Sequence, residues 1–135
     1  MKPAVEFLEH TADLRLRLRA PTLEKLLETA ARALGEYLYG PAVAGRDEEV
    51  RTVVEGSDDL ERFIAALNEI LHLLQQRRLR VREVFLKDES LGWKLTFLME
   101  KTRGLPTTEI KAATYNEAVL CREGEGWMAE ITFDL

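Results

Sequence analysis

The sequence predicts an α+β fold, a two-layer sandwich in which a mixed or largely antiparallel sheet carries two amphipathic helices on one face. Three patterns lead there. Residues 14–20, LRLRLRA, alternate apolar and basic side chains as a half-buried strand does. Two longer stretches repeat apolar residues at helical spacing. The second half of the chain then turns to period two, in four segments separated by charged or glycine-containing turns.

Leu14, Leu16, Leu18 and Ala20 point to one side of the first strand, and Arg15, Arg17 and Arg19 to the other. Pro21-Thr22 breaks it, and Thr22 is placed to cap a helix with Glu24 in its positive first turn. Leu23, Leu26, Leu27, Ala30, Ala31, Leu34 and Leu38 form the apolar stripe, which Gly40 and Pro41 end. A short strand is expected around EVRTVVEG, residues 49–56. The second helix starts at Ser57 or Asp58, with Asp58 and Glu61 at capping-box spacing. Leu60, Phe63, Ile64, Leu67, Ile70, Leu71 and Leu74 face inward, and Arg77 and Arg78 complement its negative C-terminal end. The remaining strand candidates are LRVREVFL (79–86), WKLTFLME (93–100), KAATYNEAVLCR (111–122) and WMAEITFDL (127–135). In the last, Trp127, Ala129, Ile131, Phe133 and Leu135 share one face.

At 135 residues the chain reads as one domain, 1–135, long enough to bury a core without disulfide or metal staples. An apolar content of 46% places it among folded chains rather than disordered ones. The single Cys121 excludes an intramolecular disulfide and fits a reducing compartment. No stretch approaches the ~20 apolar residues that cross a bilayer, and no apolar signal core is seen, so the expectation is a cytoplasmic protein without membrane contact. A net charge of −5 argues against stable nucleic-acid binding through the overall field. The three strand arginines read as a solvated face, or as partners of acidic side chains on a neighbouring strand.

Common catalytic motifs are absent: no GxGxxG, no Walker A loop, no HExxH, no cysteine pair. Ser57 and Ser90 lie in a cap and a turn rather than a nucleophile elbow. What remains is oxygen chemistry. Asp13 begins the first strand and Asp134 stands one residue before the last, although aspartate avoids strands. Parity puts both off the apolar face, where a shared hard cation would explain them, as would an ordinary surface position. His10 is either a ligand or a hydrogen-bonding organiser of the strand entrance, beside Thr11 and Asp13. His72 reads as a helix-surface or packing residue. Lys111 either neutralises the carboxylates, engages a phosphate or partner carboxylate, or is a solvated strand-edge lysine.

Taken together, FLEHTAD (7–13), TLEKLLETAARAL (22–34), LNEILHLL (67–74), IKAATYNEAVL (110–120) and WMAEITFDL (127–135) resemble the archease family. The resemblance implies an activator of RtcB-type RNA ligases rather than an enzyme. Such ligases join RNA ends in tRNA splicing and RNA repair, after attaching GMP to their own active-site histidine with GTP and a divalent metal. The resemblance implies that Asp13 and Asp134 hold a divalent cation (calcium, magnesium or manganese) at the surface that meets the ligase. It implies a partner contact or supporting charge for Lys111, with His10 and Asn116 as supporting residues. Family members often read TYHE where this chain reads TYNE, so Asn116 replaces a histidine. Asparagine can offer an oxygen to a hard cation but does not titrate near neutral pH. The rival expectations are a metal-independent chaperone or scaffold for an RNA-processing protein, and an independent metal-dependent phosphate-processing enzyme.

Overall fold

The structure is a computed structural model that describes residues 1–8, 13–42 and 47–135, with Asp47 described by its backbone alone. In chain order its elements are β1 (Ala4–Leu8), β2 (Asp13–Ala20), α1 (Leu23–Tyr39), β3 (Asp47–Glu55) and α2 (Asp59–Gln76). They continue with β4 (Leu79–Asp88), β5 (Gly92–Lys101), β6 (Ala112–Glu123) and β7 (Gly126–Asp134). All described strand pairs are antiparallel, in one sheet of order β1-β2-β7-β6 and one of order β3-β5-β4.

The α+β class, the antiparallel pairing and the two amphipathic helices agree with expectation. The strands, however, are shared between two sheets instead of lying in one. Helix α1 packs on β4 of one sheet and on β2 of the other, and α2 packs on β6, β4 and β3. Leu14, Leu16, Leu18 and Ala20 join Ile131 and Phe133 of β7 beneath the helices. Trp93, Leu95, Phe97 and Met99 of β5 supply the other apolar sheet face. Both helices bury most of the residues the sequence places inward, and α1 also buries Ala33 and Gly35. At Gly35 an added Cβ would stand 3.5 Å from Arg80 Cβ and 3.3 Å from its Nε. A glycine there lets β4 approach the helix closely.

Strand β1 is not announced by the sequence. Its five residues are all exposed or half-buried, so no strong alternation marks it, and it pairs with β2 at the edge of its sheet. Helix starts are better marked. Thr22 Oγ1 accepts from the Lys25 amide at 3.1 Å, and Asp58 Oδ1 accepts from the Glu61 amide at 2.8 Å. Glu61 reaches back one residue further than a capping box does: its Oε2 accepts from both the amide and the hydroxyl of Ser57, each at 2.6 Å. These bonds hold its carboxyl below the usual glutamate range. Arg77 becomes the C-cap of α2, and its guanidinium turns to Glu48 of β3 at 3.0 Å. The β6–β7 hairpin turns on Gly124 at φ +61°, the conformation a two-residue turn with glycine first requires.

Sheet edges are covered by helix side chains. Glu28 Oε1 and Glu24 Oε2 of α1 each accept, at 2.9 Å, from the outward amides of Val84 and Leu86 on edge strand β4. Along β6, Asn68 of α2 both accepts from the Ala113 amide (2.8 Å) and donates to the Ala113 carbonyl (3.3 Å). Gln75 repeats the two-point contact with Ile110, at 2.8 Å in each direction. The side-chain amides stand in for a missing strand, so backbone groups that would otherwise template another chain are satisfied.

Candidate functional site

The outer face of the four-stranded sheet carries the polar side chains of β2 and β7. Arg15, Arg17 and Arg19 do not form an open basic patch, because carboxylates from neighbouring strands meet them. Glu130 accepts from Arg17 Nε at 2.7 Å and from Arg15 Nη2 at 2.9 Å. Glu123 accepts from Arg19 Nε at 2.6 Å, and Glu6 lies 3.2 Å from Arg19 and 3.7 Å from Arg17. Arg17 first, and Arg15 second, hold the Glu130 carboxyl below the usual range.

At the end of this face the register sets Asp13 directly opposite Asp134. Opposed residues of an antiparallel pair carry Cβ atoms about 5 Å apart, and like charges so placed oppose folding. Parity with Arg15 and Thr132 puts both aspartates on the outer face. Asp13 is half-buried and Asp134 exposed. On the far side of β7, Asp134 is tied to the third residue: its carbonyl accepts from the Lys111 amide at 2.7 Å. The Lys111 side chain lines a groove of about 340 Å³ over α2, shared with Asn68, His72 and Gln75. Among the described residues Lys111 forms no ion pair. His72 is exposed on α2, a helix-surface residue. His10 lies outside the described residues.

Asn116 stands elsewhere. Between the pairs Thr114–Thr132 and Val119–Glu130, residues 115–118 of β6 face a single residue of β7, and Glu117 takes φ +53°. Asn116 is exposed within this bulge, four residues from the Ala112 that pairs with Asp134, or about 13 Å of extended strand. Arg15 underlies the bulge. Its guanidinium donates to the Glu117 carbonyl at 2.9 Å, to Thr132 Oγ1 at 2.5 Å and to Glu130, and Arg15 is only 9% exposed. The structure thus brings Asp13, Asp134 and the Lys111 backbone together, and sets Asn116 in the bulge whose Glu117 carbonyl Arg15 holds.

Arg15 and Thr132 are the members of this region that sequence reasoning passes over as individuals. Each lies two residues from an aspartate of the pair, on the same face. The available signal was a basic residue beside Asp13 facing a hydroxyl beside Asp134.

The donor set consists of two carboxylates on facing strands, half the shell of a hard cation, with water or a partner to supply the rest. Among the described residues no group of three or more His, Cys, Asp or Glu side chains is placed to hold a metal. The pair fits a surface-held cation of that kind and not a closed structural site.

Comparison with known proteins extends the geometry. The sequence profile of the Archease protein family matches residues 5–135. A protein named archease from Methanopyrus kandleri is 34% identical over 140 residues, covering 96% of this chain and 98% of its own. One of the same name from Methanosarcina barkeri is 31% identical, with 96% and 94% covered. The crystal structure of a Thermotoga maritima archease, described as a possible chaperone, superposes with a TM-score of 0.68 at 26% identity, covering 96% of each chain. A Methanobacterium thermoautotrophicum protein solved in solution shares the fold, with a TM-score of 0.76 at 23% identity.

Proposed function

This chain belongs to the archease family, and on that premise we propose that it activates an RtcB-type RNA ligase by presenting a divalent cation held between Asp13 and Asp134. The observation that carries the reading is the register of β2 against β7, which opposes two carboxylates at the end of an outer sheet face. The core pairs Leu14–Phe133 and Leu16–Ile131 set that register, and a cation between the two carboxylates would remove their repulsion.

In this reading Asp13 and Asp134 offer carboxylate oxygens, and the backbone bond from Lys111 fixes the β7 end that carries Asp134. The Lys111 ammonium, on the groove over α2, meets an acidic or phosphate-bearing element of the partner. Calcium, magnesium or manganese bound here would orient phosphoryl oxygens and offset the negative charge that develops on them during guanylylation. Asn116, set apart in the bulge, contributes to partner contact rather than to the cation, which is why the replacement of histidine is tolerated. The chain acts as a protein cofactor and not as an enzyme.

The test is GMP attachment to a cognate ligase, with and without this protein. Wild type stimulates it, while Asp13→Ala and Asp134→Ala, shown by circular dichroism to be folded, do not. A second reading, a metal-independent chaperone or scaffold, draws on the possible-chaperone description of the Thermotoga maritima relative. Stimulation that survives loss of both aspartates would establish that alternative, and no stimulation with any matched ligase and metal would remove the activator role.

A further inference from the structure

One edge of the three-stranded sheet is closed by a helix, through the bonds from the Val84 and Leu86 amides of β4 to Glu28 and Glu24. Strand β3 forms the opposite edge. It is nine residues long, and among the described residues no hydrogen bond reaches the outer side of its backbone. The covered edge fixes which β3 groups are left outside. Val84 and Leu86 turn their amides away from β5, so their register partners Phe97 and Leu95 bond across to β3 instead. Those two residues pair with Val50 and Thr52, whose backbone groups are thereby used within the sheet. Glu49, Arg51, Val53 and Glu55 alternate with them and present N–H and C=O outward. Such a row is a template for another strand. The side chains of the same residues are exposed, Val53 to 59%, while Val50 packs against the core and Val54 is part of it.

We infer that β3 pairs with β3 of a second copy of this chain, antiparallel about a two-fold axis at Val50, so that the two three-stranded sheets become one continuous sheet. A two-fold axis between identical strands requires the antiparallel direction. Outward groups must meet outward groups, so each odd-numbered residue has to face another odd-numbered one. That leaves few registers, and charge separates them. With the axis at Arg51 the two arginines oppose each other, and with the axis at Glu49 the two glutamates do. With the axis at Thr52, Glu49 faces Glu55 on both sides. With the axis at Val50, Arg51 of each copy faces Glu49 of the other, and Glu48 faces Thr52. Arg51 already lies 3.1 Å from Glu49 of its own strand, so the pairing closes a ring of two arginines and two glutamates in alternating sign. Residues 47–53 of each strand are then opposed, and the half-buried Val50 side chains meet at the axis on the core side. An axis at Val53 also matches charges, Arg51 with Glu55, but opposes residues 51–55 alone. One ladder of backbone bonds with a ring of charges makes a small interface, and such interfaces associate weakly and in proportion to concentration. It belongs to the sheet that does not carry Asp13 and Asp134, so it is independent of the proposed cation and of any ligase.

Sedimentation velocity of the full chain over a concentration series, without metal or ligase, tests the pairing. Wild type shifts from monomer toward dimer as concentration rises. Arg51→Glu, at an exposed position and with the fold confirmed by circular dichroism, brings four carboxylates together and weakens dimerisation about tenfold or more. Exchanging the charges, Glu49→Arg with Arg51→Glu, restores the alternation and returns dimerisation to about the wild-type level. Arg51→Glu with Glu55→Arg leaves it weak. A wild type that stays monomeric throughout, a dimer that Arg51→Glu leaves as tight as before, or an exchange of Glu49 and Arg51 that fails to restore it overturns the assignment. Rescue through Glu55→Arg instead would likewise overturn it, by placing the axis at Val53.

Discussion

Asp134 and Arg15 show how single side chains on one sheet face can do opposite things. Asp134 faces a like charge, so removing its charge should not harm the fold. Asp134→Asn is expected to leave the unfolding free energy in chelator unchanged or raised by about 0.2–1 kcal/mol, read from urea denaturation. Arg15 is buried against three acceptors, and removing it strands them. Arg15→Met should cost about 3 kcal/mol in the same measurement, as expected when one partner of a buried ion pair is deleted. Its effect has a pH signature. The folded-state pKa of Glu130 lies below its ordinary value of 4.5, so its stabilisation is fully present above that value and is lost as pH falls through the depressed one. Stability of wild type and Glu130→Gln should therefore differ at neutral pH and converge only in acid, once pH has fallen through the depressed folded-state value. Curves that stay parallel throughout would contradict the ion-pair assignment.

At the scale of elements, the helices stabilise the sheets through polar as well as apolar contacts. Glu24 and Glu28 occupy amides on β4, and Asn68 and Gln75 occupy both amides and carbonyls at β6 and its approach. Asn68→Leu keeps the residue size but leaves the Ala113 backbone groups unpaired. The expected loss is about 2 kcal/mol, together with faster aggregation of the uncovered strand, followed by light scattering. Substitution of exposed Glu36 by alanine, on the same class of helix, should change stability by less than about 0.5 kcal/mol. These edge contacts were not legible in the sequence. Asn68 and Gln75 look there like ordinary polar helix residues, and Glu24 like a favourable charge in a first turn. Which strand lies beyond each helix is fixed by packing between elements far apart in the chain. The caps at Thr22 and Asp58 were legible because their partners are three residues away.

For the whole molecule, the proposed cation would join the ends of β2 and β7, which lie 121 positions apart in the sequence at Asp13 and Asp134. A ligand that binds only the folded state raises stability by mass action, about 2.7 kcal/mol at a hundred times its dissociation constant. Calcium, magnesium or manganese should accordingly raise the melting temperature of wild type, and Asp134→Asn should abolish the response. An equal response in that variant would place the cation elsewhere. No helix among the described residues is long and apolar enough to cross a membrane.

The sequence by itself determined the α+β class, the two helices with their starts, and most strands, because these follow from periodicity and short-range hydrogen bonds. It also put Asp13 and Asp134 on the non-core side of their strands, since parity is a local property. Only the tertiary structure decided that the two aspartates face each other, because register between distant strands is set by the shared core of Leu14, Leu16, Ile131 and Phe133. The division into two sheets, the weak edge strand β1 and the bulge that carries Asn116 away from the pair belong to the same category. Each depends on which backbone groups find partners after collapse, and a linear pattern of side chains does not record that.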